Sequence, residues 1–219
     1  GPSPTKKFSE NYQSGTLSFE LIYKNEKVIC NSGYFQNFKS KLNILSKSSA
    51  VHSTLILDNK SICSFNIVKN EKSKLDKGVK TSEKLIESNE NTWEIASAHD
   101  GYVKKYGVIH YRNIKYDLKN SILRGDDILQ KKNNFKKSIF SIRFHFMPNA
   151  KLTKTQDHNT VLIELEKSGW KFYSNDGLLD IESGLFFGNK NRYLDNLNIN
   201  LSGVTAEKEQ IINWELSKI

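Results

Sequence analysis

Five histidines are the residues in this sequence best suited to chemistry near neutral pH: His52, His99, His110, His145 and His158. His52 opens His52-Ser53-Thr54-Leu55-Ile56-Leu57-Asp58, and His99 sits in Ala98-His99-Asp100-Gly101-Tyr102, where a strand gives way to a turn. Two histidines on neighbouring strands can hold Zn²⁺, with a carboxylate or water completing the tetrahedron; Asp58, Asp100 and Cys63 are the nearby third ligands. No compact motif such as His-Glu-x-x-His occurs, so the alternative is that each histidine hydrogen-bonds locally. Arg143 and His145 alternate along one strand face. Such a pair can hold a sugar carboxylate or sulfate, because a guanidinium offers a fixed fork of donors. The alternative is the polar outer face of an ordinary strand. Arg124-Gly125-Asp126-Asp127 offers two acids for Ca²⁺, although Gly-Asp is more often a turn. There is no Gly-x-Ser-x-Gly elbow, phosphate loop or dinucleotide fingerprint, and no acid pair stands out as a glycosidase dyad.

Strands must position these side chains, because the dominant pattern is short alternation. In residues 16–22, Leu17, Phe19 and Leu21 face one way and Thr16, Ser18 and Glu20 the other. In residues 138–147, Phe140, Ile142, Phe144 and Phe146 share one face, and Ser141, Arg143 and His145 share the other. Further strands are predicted at 28–31, 53–57, 61–68, 93–98, 106–116, 121–124, 160–166, 170–174, 198–201 and 210–216. Ser168-Gly169 and Asn175-Asp176-Gly177 mark turns. One short helix is predicted, where Phe35, Phe38, Leu42 and Leu45 fall at helical spacing. Residues 69–91 are rich in Lys, Glu, Ser and Asn and read as a long exposed loop. The fold class is therefore all-β, a large antiparallel, supersandwich-like β-sandwich with at most one or two short helices. With 219 residues and no visible boundary or repeat, residues 1–219 read as a single domain.

Composition removes several classes. No apolar run reaches the roughly 20 residues of a membrane helix, and the first twenty residues lack a signal-peptide core. Two cysteines, Cys30 and Cys63, exclude a disulfide scaffold, and their spacing leaves open whether they pair. The net charge is +9, nearly all of it from lysine; the arginines are Arg112, Arg124, Arg143 and Arg192. Such a charge reads either as a solvated lysine surface or as attraction to a polyanion. Nucleic acid ranks last among the partners, because no single segment concentrates Arg and Lys with aromatics.

Four ordered segments resemble the C-terminal domain of the heparinase II/III-like family of bacterial polysaccharide lyases. They are Gly15-Thr16-Leu17-Ser18-Phe19-Glu20-Leu21 with Val28-Ile29-Cys30-Asn31-Ser32-Gly33; Ala50-Val51-His52-Ser53-Thr54-Leu55-Ile56-Leu57-Asp58; His99-Asp100-Gly101-Tyr102 with Gly107-Val108-Ile109-His110-Tyr111-Arg112; and Leu123-Arg124-Gly125-Asp126-Asp127 leading to Phe140-Ser141-Ile142-Arg143-Phe144-His145-Phe146-Met147-Pro148. Order and spacing agree from the N-terminus to at least residue 175, and Gly1-Pro2-Ser3-Pro4 looks like the family's lead-in.

The resemblance implies a β-sandwich that follows a helical α/α toroid in a parent protein, cleaving a uronic-acid polysaccharide by β-elimination. A base removes the proton next to the carboxylate, an acid protonates the leaving oxygen, and the carboxylate must be neutralised. It makes His52 the candidate catalytic histidine of this domain, and His52 with His99 the candidate ligands of a structural zinc. Tyr102 joins Arg143 and His145 as a candidate substrate-binding residue. The implied partners are an acidic polysaccharide and the toroid, and the implied location is periplasmic or secreted. No all-helical region lies in this chain, so the 219 residues alone are expected to be inactive. The competing reading is a non-catalytic carbohydrate-binding or structural β-sandwich. An aromatic platform or groove on a sheet face would favour it.

Overall fold

Alternation of apolar and polar residues builds two large antiparallel sheets, and their apolar faces meet. The computed structural model describes residues 2–67, 71–189 and 192–219, apart from the side chains of Glu83 and Asn189. The strands are β1 (Leu21–Tyr23), β2 (Glu26–Ile29), β3 (Leu55–Leu57), β4 (Ser64–Asn66), β5 (Lys74–Lys77), β6 (Thr81–Ser88), β7 (Thr92–His99), β8 (Val108–Asp117), β9 (Ile122–Lys131), β10 (Ile139–His145), β11 (Lys151–Lys154), β12 (Thr160–Glu164), β13 (Gly169–Tyr173), β14 (Leu178–Asn189), β15 (Arg192–Val204) and β16 (Gln210–Lys218). Two short helices, α1 (Lys41–Leu45) and α2 (Val103–Tyr106), complete the regular structure. The large sheet has the order β11-β12-β13-β16-β9-β8-β7-β6, and the small one β14-β15-β10-β3. The antiparallel sandwich expected from the alternation is what forms.

The core lies between the sheets. From the small sheet come Phe140, Ile142, Phe144, Ile199 and Leu201; from the large sheet come Val161, Trp170, Phe172, Ile212 and Trp214. Phe144 is the centre of the contact. Its ring lies 4.6 Å from Phe172 and 4.8 Å from Trp214, the latter edge to face. Because side chains alternate along a strand, Ser141, Arg143 and His145 must then point away from this core.

Several elements depart from the sequence reading, each for a local reason. Residues 16–22 do not form one strand. Leu17 takes a left-handed φ of 62°, and pairing is confined to β1. The segment instead covers the edge of the sandwich: Phe19 stacks on Trp214 at 5.7 Å, and the Leu17 carbonyl accepts from Arg112 Nη1 at 2.9 Å. The stretch read as a loop over 69–91 contains β5 and β6, with residues 69 and 70 outside the described residues. β6 is the exposed outer strand of the large sheet, so burial imposes little apolar period on it. The strand read over 61–68 is the shorter β4, and Val68 lies outside the described residues. The turn read at Gly125-Asp126 is the middle of β9, and β11 and most of β14 carry no signal strong enough to predict them. Phe35 precedes α1 and packs on Phe187 at 6.0 Å instead of lying on the helix. Cys30 and Cys63 are both buried and free, so they do not pair.

Phe144→Ala is expected to lower unfolding stability by about 3–5 kcal/mol through lost burial and a cavity. Ile86→Ala, at a side chain 79% exposed on β6, should stay within about 0.5 kcal/mol. Urea denaturation of the two variants checks the contrast.

Candidate functional site

A buried polar network runs through the core face of the large sheet. His110, Arg112, Asp127 and Trp214 project inward from β8, β9 and β16, and His99 faces His110 from β7. Asp127 is fully buried and accepts from His110 Nε2 at 2.6 Å, Arg112 Nε at 2.8 Å, Arg112 Nη2 at 2.9 Å and Trp214 Nε1 at 2.9 Å. Burial alone would raise this carboxyl; Arg112 and His110 outweigh it and hold the group well below the ordinary carboxylate range. Gly125 lies under the Trp214 indole, where a Cβ would sit 2.0 Å from the ring, so the indole can reach across β9 to Asp127. Arg112 Nη1 also donates to the carbonyls of Leu17 and Ser53.

The hydrogen bonds fix the histidine tautomers here. Gly101 N donates to His99 Nδ1, so the proton of His99 is on Nε2 and faces His110 Nδ1 at 3.2 Å. His110 then carries its proton on Nε2, toward Asp127. Burial, joined for His99 by the nearby His110 and Arg112 charges, keeps both imidazoles neutral. His99 therefore belongs to an internal chain of hydrogen bonds.

His52 sits in a different place. Its Nδ1 donates to the Ser48 carbonyl at 2.8 Å, and its Nε2 lies 3.0 Å from the Gln13 side-chain amide. Burial lowers its pKa. A neutral ring with Nδ1 protonated must accept at Nε2, so the Gln13 amide, whose Oε1 is placed toward the ring, is assigned the other way round with its NH₂ facing. The structure does not bring His52 and His99 into one ligand set. Both rings are committed to protein partners, and among the described residues no three His, Cys, Asp or Glu side chains are grouped to hold a metal ion. The residues present do not fit the structural zinc that the resemblance implied. Asp126 and Asp127 point to opposite faces of β9, so they form no calcium pair either. Tyr102 is also displaced from the substrate role. It is 1% exposed, its hydroxyl donates to the Leu55 and Lys60 carbonyls, and burial raises its pKa.

Arg143 and His145 do share a face, as the alternation of β10 predicts. They lie on the side of the small sheet turned away from the core, opposite Asn200 and Asn198 of β15. Asp180 and Glu182 of β14 continue these rows. Arg143 Nε donates to Glu182 Oε2 at 3.0 Å, Asn200 Nδ2 donates to Glu182 Oε1 at 2.7 Å, and Ser141 donates to Asn200 Oδ1 at 2.6 Å. His145 Nδ1 is 3.1 Å from Ser32 Oγ. Ser53 links the His52 segment to the same strand, donating to the Cys30 carbonyl and accepting from His145 N. Burial, with the His52 and Arg143 charges adding to it, pushes the His145 pKa down to about 3. Gly184 lacks a side chain where a Cβ would strike the Asn198 and Asn196 amides, so those side chains can lie across β14.

Two buried polar atoms on this face, Arg143 Nη1 and Asn196 Oδ1, lack a hydrogen-bond partner among the described residues, while His145 leans on Ser32, Asn198 and the Ala50 backbone. Orphaned buried polar atoms are uncommon, and two on one sheet face suit an external donor and acceptor. The guanidinium offers the donor and the amide the acceptor. Arg143 and Glu182 remain partly open, at 16% and 36% side-chain exposure, so a ligand can reach this edge. The sequence signalled Arg143 and His145 but not Glu182, Asn196 or Asn200. The alternation Asn196-x-Asn198-x-Asn200 in β15 was the available cue.

An all-β antiparallel sandwich with a polar outer face on its small sheet is the class of domain that fold and site define. The family profile described as Heparinase II/III-like, C-terminal, matches residues 1–215, and the chain belongs to that family. No curated protein sequence matches it. Among solved structures, the fold is similar to heparan sulfate lyase HepC from Pedobacter heparinus, with a TM-score of 0.76 at 15% identity over 94% of this chain. It is also similar to a heparinase III, with a TM-score of 0.72 at 14% identity over 94% of this chain. The chain spans 30% of the length of each.

Two outcomes follow from these contacts. The folded-state pKa values of His52, His99, His110 and His145 lie below the unfolded value, so the unfolded chain takes up more protons below about pH 6.5. Each such histidine removes about 1.4 kcal/mol of stability per pH unit below that point until its folded pKa is reached. Thermal unfolding should show Tm steady between pH 8 and 7 and falling steeply toward pH 5 (about the range set by the histidine pKa). Elemental analysis should find no stoichiometric zinc in the purified chain, and a chelator should leave Tm unchanged; a stoichiometric metal lost in His52→Ala would contradict both.

Proposed function

We propose that this chain is the β-sandwich domain of a polysaccharide lyase that cleaves a uronate-containing acidic polysaccharide by β-elimination. The polar face of the small sheet forms one wall of the cleft, and a helical toroid of the same parent protein forms the other. The observation that carries this reading is the unpaired Arg143 Nη1 beside His145 on that face, in a chain belonging to the heparinase II/III-like family over residues 1–215. A periplasmic or secreted location fits a polymeric substrate of this kind.

β-Elimination needs a proton acceptor, a proton donor to the leaving oxygen, and neutralisation of the uronate carboxylate. Arg143 is the group on this face suited to the last task, since its guanidinium donates directionally to a carboxylate or sulfate. Glu182 already offsets part of its charge, so the site orients one acidic group without gripping the polymer. His145, with its pKa pushed down to about 3, is too weak a base to accept a proton near neutral pH. It is as enclosed as Tyr102, at 2% exposure, so its part is to brace the strand beneath Arg143 through Ser32. His52, held by Ser48 and Gln13, braces the neighbouring segment. Neither histidine near Arg143 is suited to proton transfer, so this reading assigns that step to the helical toroid and expects the chain to be inactive alone.

A groove on the outer face of the large sheet favours a second reading, a carbohydrate-binding module without catalysis. It encloses about 390 Å³ and is lined by Tyr173, Asn175, Asp176, Arg124, Asp126 and Asn213.

Release of unsaturated uronate from heparan sulfate separates the readings. The 219-residue chain is expected to release none, and the protein including its helical domain to release product. In that longer protein, Arg143→Ala should lower kcat/KM by about tenfold or more, with kcat falling as well as KM rising, because the guanidinium meets carboxylate charge that grows in the transition state. Turnover by the short chain, or indifference to Arg143→Ala, would sink this assignment.

A further inference from the structure

The lysines look evenly spread along the sequence, yet the fold gathers seven of them at one end of the sandwich. Lys104 and Lys105 lie on α2, Lys131, Lys132, Lys136 and Lys137 lie on the end of β9 and the loop that follows, and Lys60 lies on the turn after β3. All seven are exposed.

Specific backbone contacts bring the three segments together. Lys132 N donates to the Gly107 carbonyl at 2.7 Å, and Lys136 N donates to the Tyr106 carbonyl at 2.9 Å. Gly107 makes that docking possible: its φ is 65°, and a Cβ there would lie 2.4 Å from the backbone of Asn134 and Phe135. The turn after β3 is tied in by the Tyr102 hydroxyl on the Lys60 carbonyl at 3.3 Å. Asp58 closes the other side, with its N donating to the Ile139 carbonyl and its Oδ1 accepting from Ile139 N.

Residues 58–60, 102–107 and 131–137 hold seven lysines and one acid, Asp58; Asp100 just before α2 and Glu207, Lys208 and Glu209, whose loop meets Lys131 Nζ at the Glu207 carbonyl, lie at the same end and leave a net +4 there against +9 for the whole chain. The ion pairs among the described residues involve none of these lysines. Asp58 and Asp100 are each engaged by a backbone amide, of Ile139 and Lys80, and Glu207 and Glu209 form none of the ion pairs among the described residues. Like charges concentrated this way repel one another, and a polyanion relieves that repulsion. Lysine ammonium groups without an arginine fork bind as point charges, which suits a flexible chain of sulfates and carboxylates. The aromatics present do not favour nucleic-acid stacking: Tyr106 is buried, and Phe135 lies under the Lys131 ammonium at 4.9 Å.

We propose that this lysine end is a second contact for acidic polysaccharide, apart from the Arg143 face. It captures the polymer by charge alone while the polar face orients one sugar. Lys137 and Arg143 are six residues apart along the chain, most of that span in β10, so the two places are separated by roughly 20 Å. The proposal rests on the acidic-polysaccharide reading of the family. Its test reads binding by the short chain and needs no turnover, so a failed lyase assay and a failed binding assay are distinct results.

The experiment measures binding of the 219-residue chain to heparan sulfate across a salt series, beside duplex DNA and anionic phospholipid vesicles. The test variant is K104Q/K105Q/K132Q/K136Q/K137Q, and the control of equal charge is K24Q/K39Q/K84Q/K119Q/K167Q, built from exposed lysines scattered elsewhere. All ten side chains are exposed, and an unchanged Tm verifies that each variant is folded. The expected result is a loss of about 30-fold or more in heparan sulfate affinity for the test variant, against about threefold or less for the control. The salt dependence should flatten in the test variant alone. Equal losses in both variants, or no binding by the wild type at about 50 mM salt, would overturn the proposal. So would tighter binding to DNA or to vesicles than to the polysaccharide, because the patch would then belong to that partner.

Discussion

Asp127 is the point on which the rest of the structure hangs. A carboxylate buried between sheets is tolerable only when each oxygen is met by donors, and here four hydrogen bonds from three side chains meet it. Those donors come from β8 and β16, the two neighbours of β9, so the charge pins the centre of the large sheet. Arg112 carries the constraint further. Its remaining nitrogen holds the Leu17 and Ser53 carbonyls, which fixes the covering segment at the sandwich edge and the approach to β3. Ser53 in turn meets the backbone of His145. A chain of direct bonds thus connects the buried acid to the outer polar face some strands away.

That arrangement separates two uses of histidine in one domain. His99 and His110 are spent on satisfying the interior, each neutral and with its tautomer dictated by a neighbour. His145 is equally neutral and leans on Ser32 and Asn198, on a face that also carries an unpaired arginine nitrogen and an unpaired amide oxygen. Burial depresses all of them, so pKa alone would not tell the two roles apart; the presence of unpaired neighbours does.

Charge is divided in the same way. The outer face of the small sheet is nearly balanced, with Arg143 set against Glu182 and Lys154 against Asp180. At the lysine end the lysines outnumber the acids around them. A balanced face discriminates by geometry, while an unbalanced patch attracts at a distance and is weakened by salt. On the proposed reading, the unbalanced patch gathers the polymer and the balanced face orients it.

Fold class was legible in the residues alone, because a side-chain period of two is written locally in segments such as Phe140-Ser141-Ile142-Arg143-Phe144 and survives any packing partner. For the same reason the sequence placed Arg143 and His145 on one face. It did not determine which histidines meet. His52 and His99 look equivalent along the chain, yet strand order puts His99 against His110 and leaves His52 against Gln13. It also missed β6 and much of β14, where exposure or glycine and acidic residues blur the alternation. The lysines show the limit most plainly: no single segment is rich enough to stand out, and only the docking of the β9–β10 loop on Gly107 gathers three segments into one charged surface. Alternation is a property of neighbours in sequence, whereas hydrogen-bond partners and charge density belong to neighbours in space, and those are set by strand order and loop docking.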